Sequence, residues 1–200
     1  MGALEPVTLE GRHVRLEPLS PAHRDDLAAV AFDPYLWRFT LTRILSLGEL
    51  DAYIATAISW REAGTALPFA TVDRSTGRAI GSTRLAHIDR EHRHAEIGWT
   101  WLGRDYQRKA FNTEAKLLML THAFDVMGCI RVELRTDVQN NLSRAAIARL
   151  GAREEGIMRN HMIRPDGYII SWVYFSILRE EWPEVRAGLE QKLAAHAARV

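Results

Sequence analysis

Two hydrophobic periods alternate along this chain, and their order constrains the fold more than any other feature. RHVRLE (12–17), LPFATVD (67–73), RAIGSTRLAHID (78–89), AEIGWTWL (95–102) and CIRVELRTD (129–137) read as strands, the second and third forming a hairpin across an STG turn. Two more strands, about 153–163 and 168–178, flank the turn signal RPDG. At 113–127, TEAKLLMLTHAFDVM sets Ala115, Leu118, Met119, His122, Ala123 and Val126 at helical spacing, and Gly128 closes the run. Further helices are expected from Pro21 to about Ala31, where Ser20 can cap, at about 48–63 before Gly64, and at 143–151. A last helix has Val185, Leu189, Leu193 and Val200 near one face. The order is β-α-α-β-β-β-α-β-α-β-β-α. Strands outnumber helices and most neighbours are hairpins, which predicts one α+β (mixed α/β) domain over residues 1–200, with a core at 8–178 and a C-terminal helix at 180–200.

Composition narrows the partners. Lys plus Arg is 26 against 25 for Asp plus Glu, a net charge of +1, so neither nucleic acid nor an anionic membrane is expected as main partner. No apolar run reaches the roughly 18 residues of a membrane span. The N-terminal segment lacks the apolar stretch of a secretory signal, and the single cysteine, Cys129, precludes an internal disulfide; both fit a cytoplasmic protein. GxxxxGK[ST], HExxH and GxSxG are missing. His92 and His94 alternate on one strand without an evident third ligand, so they read as solvated histidines and no metal is expected.

What remains is a strand, a basic loop and a helix, around YQRKAFNTEAKLLML (106–120). Asn112 or Thr113 can cap the helix start, whose free N–H groups and positive dipole end favour an anion, and Arg104, Arg108 and Lys109 add charge. The loop has no glycine. Two readings fit it, a ligand loop or the charged entrance to an ordinary helix.

The whole arrangement resembles the GCN5-related N-acetyltransferase (GNAT) family, over about residues 8–183. Gln107-Arg108-Lys109-Ala110-Phe111-Asn112 stands in register with that family's Q/R-x-x-G-x-G/A loop, with Ala110 and Asn112 in place of the small residues. Glu96-Ile97-Gly98 precedes it, NTEA opens the helix, and Asn140 to Ser143 reads N-x-x-S. The LGA at 150–152 and Glu181-Trp182 look like the branch of ribosomal-protein Nα-acetyltransferases of the RimJ/RimL type. The resemblance implies a twisted, mostly antiparallel sheet of about seven strands flanked by helices, with splayed central strands, and acetyl-CoA as donor. It implies that backbone amides of the loop bind the pyrophosphate. It leaves room for a homodimer.

Roles follow by the same resemblance. Glu96 lies eleven residues before Gln107, the spacing of the general-base glutamate in the histone-lysine branch, and sits in an apolar strand where a carboxylate needs a task or a partner. It reads as the base, direct or through water, or as a structural carboxylate. Main-chain N–H groups of Thr100, Trp101 and Leu102 hold the thioester. The pyrophosphate falls to Gln107, Arg108, Lys109, Ala110, Phe111, Asn112 and Thr113, and the pantetheine amides to Asn140. Ser143 protonates the leaving thiolate, or is a helix cap. Ala110 suffices where the family has glycine if the later loop residues keep negative φ and Asn112 turns aside to cap. Cys129 reads as a small buried residue, so transfer is direct. The acceptor side is expected in segment 33–47 and the turn 163–168, with Trp37, Arg38 and Phe39 as candidates. The acceptor is a primary amine, and a weak base would argue for a peptide N-terminal one, whose pKa of about 7.7–8 needs less help than a lysine at about 10.4. Alternatives are a small-molecule amine (antibiotic, polyamine or aminoacyl compound) or a non-catalytic CoA-binding sensor.

Overall fold

The computed structural model describes residues 5–197. Its elements run β1 (Leu9–Glu10), β2 (Val14–Pro18), α1 (Arg24–Ala31), α2 (Leu47–Glu62), β3 (Leu67–Asp73), β4 (Ala79–Asp89), β5 (His94–Leu102), α3 (Ala110–Thr121), β6 (Arg131–Asp137), α4 (Asn141–Leu150), β7 (Arg153–Ile163), β8 (Ile169–Leu178) and α5 (Trp182–Ala197). The expected order is present with one addition. The two-residue β1 makes eight strands where about seven were expected, because a pair that short leaves no alternation to read. Of the face expected for the last helix, Val185 and Leu189 are buried, and Val200 lies outside the described residues.

All eight strands form one sheet in the order β1-β2-β3-β4-β5-β6-β8-β7. Every neighbouring pair is antiparallel except β5 and β6. That parallel pair shares only three rungs, His94 with Arg131, Ala95 with Val132 and Glu96 with Glu133. Beyond Glu96 the two strands separate, and the sheet opens into a cleft.

Each face of the sheet buries one apolar layer. Val14, Leu16, Phe69, Leu85, Ala95 and Ile97 pack under α3, α4 and α5, against Met119, Phe124, Ile147 and Leu189. Leu19, Ala70, Val72 and Trp101 pack on the other face under α1 and α2, against Leu27, Trp37, Leu50, Tyr53 and Ile54. β3 is buried along its whole length, as an interior strand covered on both sides must be.

A bulge in β5 completes the opening. Ser82 pairs with Trp101 but Arg84 pairs with Gly98, so two residues of β5, Trp99 and Thr100, oppose Thr83 alone. Trp99 takes the strain, with φ at 49°.

Candidate active site

Glu96 stands on the last rung before the cleft. Its carboxylate leans along β5 over Gly98, where an added Cβ would lie 3.0 Å from Oε1, so the missing side chain makes its room. Arg135 on β6 faces it, with Nε 3.0 Å from Oε1. His87 Nε2 is 3.9 Å from Oε2 and 3.4 Å from Arg135 Nη2, and it accepts from the guanidinium in the tautomer that carries its proton on Nδ1. Burial pushes the Glu96 carboxyl up to about 7, against the pull of Arg135 and with help from the Glu133 charge. Burial and then Arg135 hold His87 below its usual range. A half-neutral carboxyl with one oxygen tethered and the other facing a neutral imidazole can take a proton at neutral pH.

Around this pair lies an aromatic and cationic wall that no local motif marks. Arg84 is buried, and its guanidinium lies 4.8 Å from the Tyr53 ring and 5.0 Å from each of the Trp60 and Trp99 rings. Its Nε and Nη2 find no hydrogen-bond partner among the described residues. Arg135 in turn lies 5.5 Å from the Trp172 ring and donates to Tyr174. These residues come from α2, β4, β5, β6 and β8, so only the folded sheet assembles them. The signal available beforehand is slight, an arginine in the middle of β4 and one of several charges along β6.

On the segment expected to meet the acceptor, the three candidates separate. Trp37 is buried against Trp101 with its Nε1–H donated to Ala31 O at 2.8 Å, so its indole is committed to the core. Arg38 is exposed and its carbonyl accepts from Arg164 Nη1 at 2.7 Å, which ties segment 33–47 to the 164–167 turn. Phe39 lies half-buried under the Arg38 guanidinium.

The other side of the cleft is the loop before α3. Gln107 Nε2 donates to Leu102 O at 3.0 Å, which binds the loop back to the end of β5. The helix starts at Ala110, earlier than Asn112 or Thr113, with Lys109 at the cap position and no side chain satisfying the first N–H groups. Asn112 therefore lies inside the first turn and does not cap; its Oδ1 is buried without a partner. The expectation of negative φ at the later loop residues holds from Lys109 onward, at −112°, and the positive φ falls ahead of them. Arg108 is left-handed, with φ at 61°, and only from Ala110 onward is the chain helical. A positive-φ residue followed by uncapped helix N–H groups is a concave donor surface, and it suits a phosphate. Arg108 and Lys109 are exposed beside it, whereas Arg104 is turned away over the Tyr35 ring, with Nη1 3.6 Å from Asp33.

Between the two sides, Thr100, Trp101 and Leu102 lie on β5 past its last rung with β6. Thr100 is exposed, while the Trp101 side chain is core, so only the main chain of Trp101 is available to a ligand. Across the cleft Asn140 is the α4 cap, its Oδ1 accepting from Ser143 N at 3.1 Å. Ser143 is thus the capped residue and not the cap, and its hydroxyl makes no hydrogen bond to any described residue. Cys129 is fully buried, and burial raises its thiol to about 11, which removes it as a nucleophile. His92 and His94 do have a third neighbour, Asp89, with ligand atoms within 4.8 Å of one another; Asp89 already accepts from the His92 N–H at 2.7 Å.

Glu114, the third residue of NTEA, has a different task from its neighbours. It is buried, and its carboxylate accepts the N–H groups of Arg12, His13 and Val14 at 2.8, 2.6 and 2.7 Å. It anchors α3 to the β1–β2 turn.

Comparison with known proteins gives the family of the fold. The acetyltransferase (GNAT) domain family model matches residues 13–153. YdaF of Bacillus subtilis (strain 168), which carries the provisional name ribosomal N-acetyltransferase, is 34% identical over 106 residues, 53% of this chain and 57% of YdaF. The uncharacterized N-acetyltransferase p20 of Bacillus licheniformis is 29% identical over 60% of this chain and 66% of its own length. The chain thus spans less than two thirds of either relative. Among solved structures, a GCN5-related N-acetyltransferase from Brucella melitensis superposes with a TM-score of 0.87 at 31% identity, covering 94% of this chain and 86% of that one. RimJ of Mycobacterium smegmatis, solved with CoA-disulfide, has the same fold, with a TM-score of 0.82 at 20% identity over 98% of both chains. No described helix is long and apolar enough to cross a membrane.

Proposed function

The chain belongs to the GNAT acetyltransferase family, and on that premise we propose that it transfers acetyl directly from acetyl-CoA to a primary amine, the α-amine of a protein N-terminus. The observation that carries the reading is the place of Glu96 on the last rung before the cleft, one oxygen held by Arg135 at 3.0 Å and the other facing His87, with burial raising the carboxyl to about 7. A base of that strength takes a proton from an α-ammonium of about 7.7–8 almost without cost, while a lysine at about 10.4 lies more than three units uphill. The wall beside Glu96 supports the same class. Its tryptophan and tyrosine faces suit a peptide end. The name of YdaF and the CoA-disulfide bound to RimJ are consistent with both halves of the reaction.

In this reading each residue has one step. The donor surface at 108–113 holds the pyrophosphate, and Asn140 holds the pantetheine amides with the part of its amide that does not cap. Glu96 Oε2 accepts the amine proton, directly or through one water, with Arg135 holding Oε1. The amine nitrogen then bonds to the thioester carbon as the carbon–sulfur bond breaks. Main-chain N–H groups among Thr100, Trp101 and Leu102 stabilise the oxygen that gains charge. Ser143 gives its hydroxyl proton to the sulfur and takes up the one that the nitrogen sheds as the amide forms; free CoA leaves, and Glu96 passes its proton to solvent.

Thiol release from acetyl-CoA over peptides, their Nα-blocked versions and small amines tests the reading. Turnover with free N-terminal peptides and none with the blocked ones supports it. Turnover with small amines alone would move the acceptor to the small-molecule class, and CoA binding without any turnover would make the chain a sensor.

A further inference from the structure

Two buried cations flank the β5 bulge, and neither has a carboxylate against it. Arg84 lies on the α2 face among its three rings. On the opposite face Lys116 of α3 is only 3% exposed. Its Nζ donates to Thr83 Oγ1 at 3.0 Å and to Thr100 Oγ1 at 2.7 Å, and those hydroxyls are 2.7 Å apart. No described carboxylate lies within ion-pair distance of it. An ammonium kept from water without a counter-charge is costly, and burial alone draws its pKa down to about 7. Methionine would fill the same space without that cost, so packing does not account for the lysine.

The place of Thr100 does account for it. Thr100 is one of the two bulged residues, and it is exposed where β5 has already left β6. Its hydroxyl is gripped from behind by Lys116 and Thr83, and its own main chain opens on the cleft. The helix that supplies Lys116 also supplies the uncapped N–H groups at Ala110. One rigid element therefore meets both ends of the cleft.

We propose that Lys116 is a positioning residue for the acyl end of the bound thioester, acting through Thr100. It fixes the Thr100 side chain and with it the aim of the bulge N–H groups. The proposal rests on the acetyl-transfer reading above. It differs from a structural role in what it separates. A structural lysine would move stability and turnover together, whereas this one is worth little to the ground state and much to the transition state.

Three variants of the full chain test it: Lys116→Met, Thr100→Val and the double substitution, each measured for CoA binding by titration calorimetry, for Tm and for thiol release with a peptide acceptor. Lys116→Met is expected to keep a Tm at or above the parent, bind CoA within about threefold, and lose at least about 10-fold in kcat. Thr100→Val, which retains the lysine, is expected to lose a similar factor, and the double variant no more than either one, because both remove the same link. Parental kcat in either single variant, a Tm that falls together with kcat, or losses that multiply in the double variant would overturn the proposal. A parent that neither binds CoA nor releases thiol would instead overturn the acetyl-transfer reading, and this proposal with it.

Discussion

Arg135 Nε and Glu96 Oε1 meet at 3.0 Å across the point where β5 and β6 part. The contact is partial compensation for a carboxylate that has lost its water, and it is not enough to keep Glu96 at an ordinary carboxylate pKa. Removing the guanidinium should therefore raise the carboxyl further. Arg135→Gln is expected to move the rising limb of the pH–rate profile toward alkaline pH by about one unit, with a smaller effect on acetyl-CoA affinity. A limb that stays in place would detach Arg135 from the proton-accepting group.

The same shift makes a stability statement. Glu96 has a folded pKa of about 7, above its value of 4.5 when unfolded. Its contribution is most favourable below about pH 4.5 and is lost as pH rises through 7. Glu96→Gln should then gain stability relative to the parent between pH 5 and pH 8, by on the order of 2 kcal/mol, since the raised carboxyl already includes the pull of Arg135 and the variant's unpaired guanidinium costs the same at both pH values. Urea unfolding of both proteins at the two pH values measures this; a difference that does not change with pH counts against a raised carboxyl.

Glu114 should behave in the opposite way. Glu114→Ala strands three backbone N–H groups at the β1–β2 turn and is expected to cost roughly 2–4 kcal/mol of stability by urea unfolding. The residual folded protein should also bind CoA more weakly, because α3 loses its anchor. Parental stability would show that the turn holds α3 by other means.

Much of this architecture is legible in the sequence because burial on one face writes a period. α3 and α4 follow from such patterns, and the β3–β4 hairpin from the STG turn between two runs buried on both faces. The residues that escape are those whose reasons lie far away along the chain. Glu114 answers to Arg12–Val14, Lys116 to Thr83 and Thr100, and Arg84 to rings on α2 and β5. Each reads locally as one more surface charge. The loop was misread for a related reason. Asn112 and Thr113 are good capping types, but the backbone turns at Arg108, a left-handed residue that composition does not reveal. Ser143, with Asn140 ahead of it, likewise looks like a cap and is the residue being capped.

That reassignment sharpens the test of Ser143. With the cap belonging to Asn140, Ser143→Ala should change stability by less than about 0.5 kcal/mol, while Asn140→Ala costs about 1 kcal/mol. If Ser143 protonates the thiolate, its alanine variant loses turnover with unchanged CoA affinity. Parental kcat in Ser143→Ala would take the residue out of the chemistry.

Ala110 opens α3 with little exposed surface, so a glutamate there meets the phosphate surface with both bulk and like charge. Ala110→Glu should lose acetyl-CoA binding by titration calorimetry, and Ala110→Gly should keep it. Undiminished affinity in folded Ala110→Glu would place the cofactor elsewhere.

The central claim is that Glu96 takes the proton from an N-terminal amine. The pH dependence of kcat/KM for thiol release with one peptide acceptor, in the parent and in Glu96→Gln, tests it most directly. The expected result is a parental profile rising through a pKa near 7 and a variant slower by roughly 10²-fold or more that has lost that limb, with acetyl-CoA affinity unchanged. Parental rates and an unaltered limb in Glu96→Gln across pH 6–9 would contradict it.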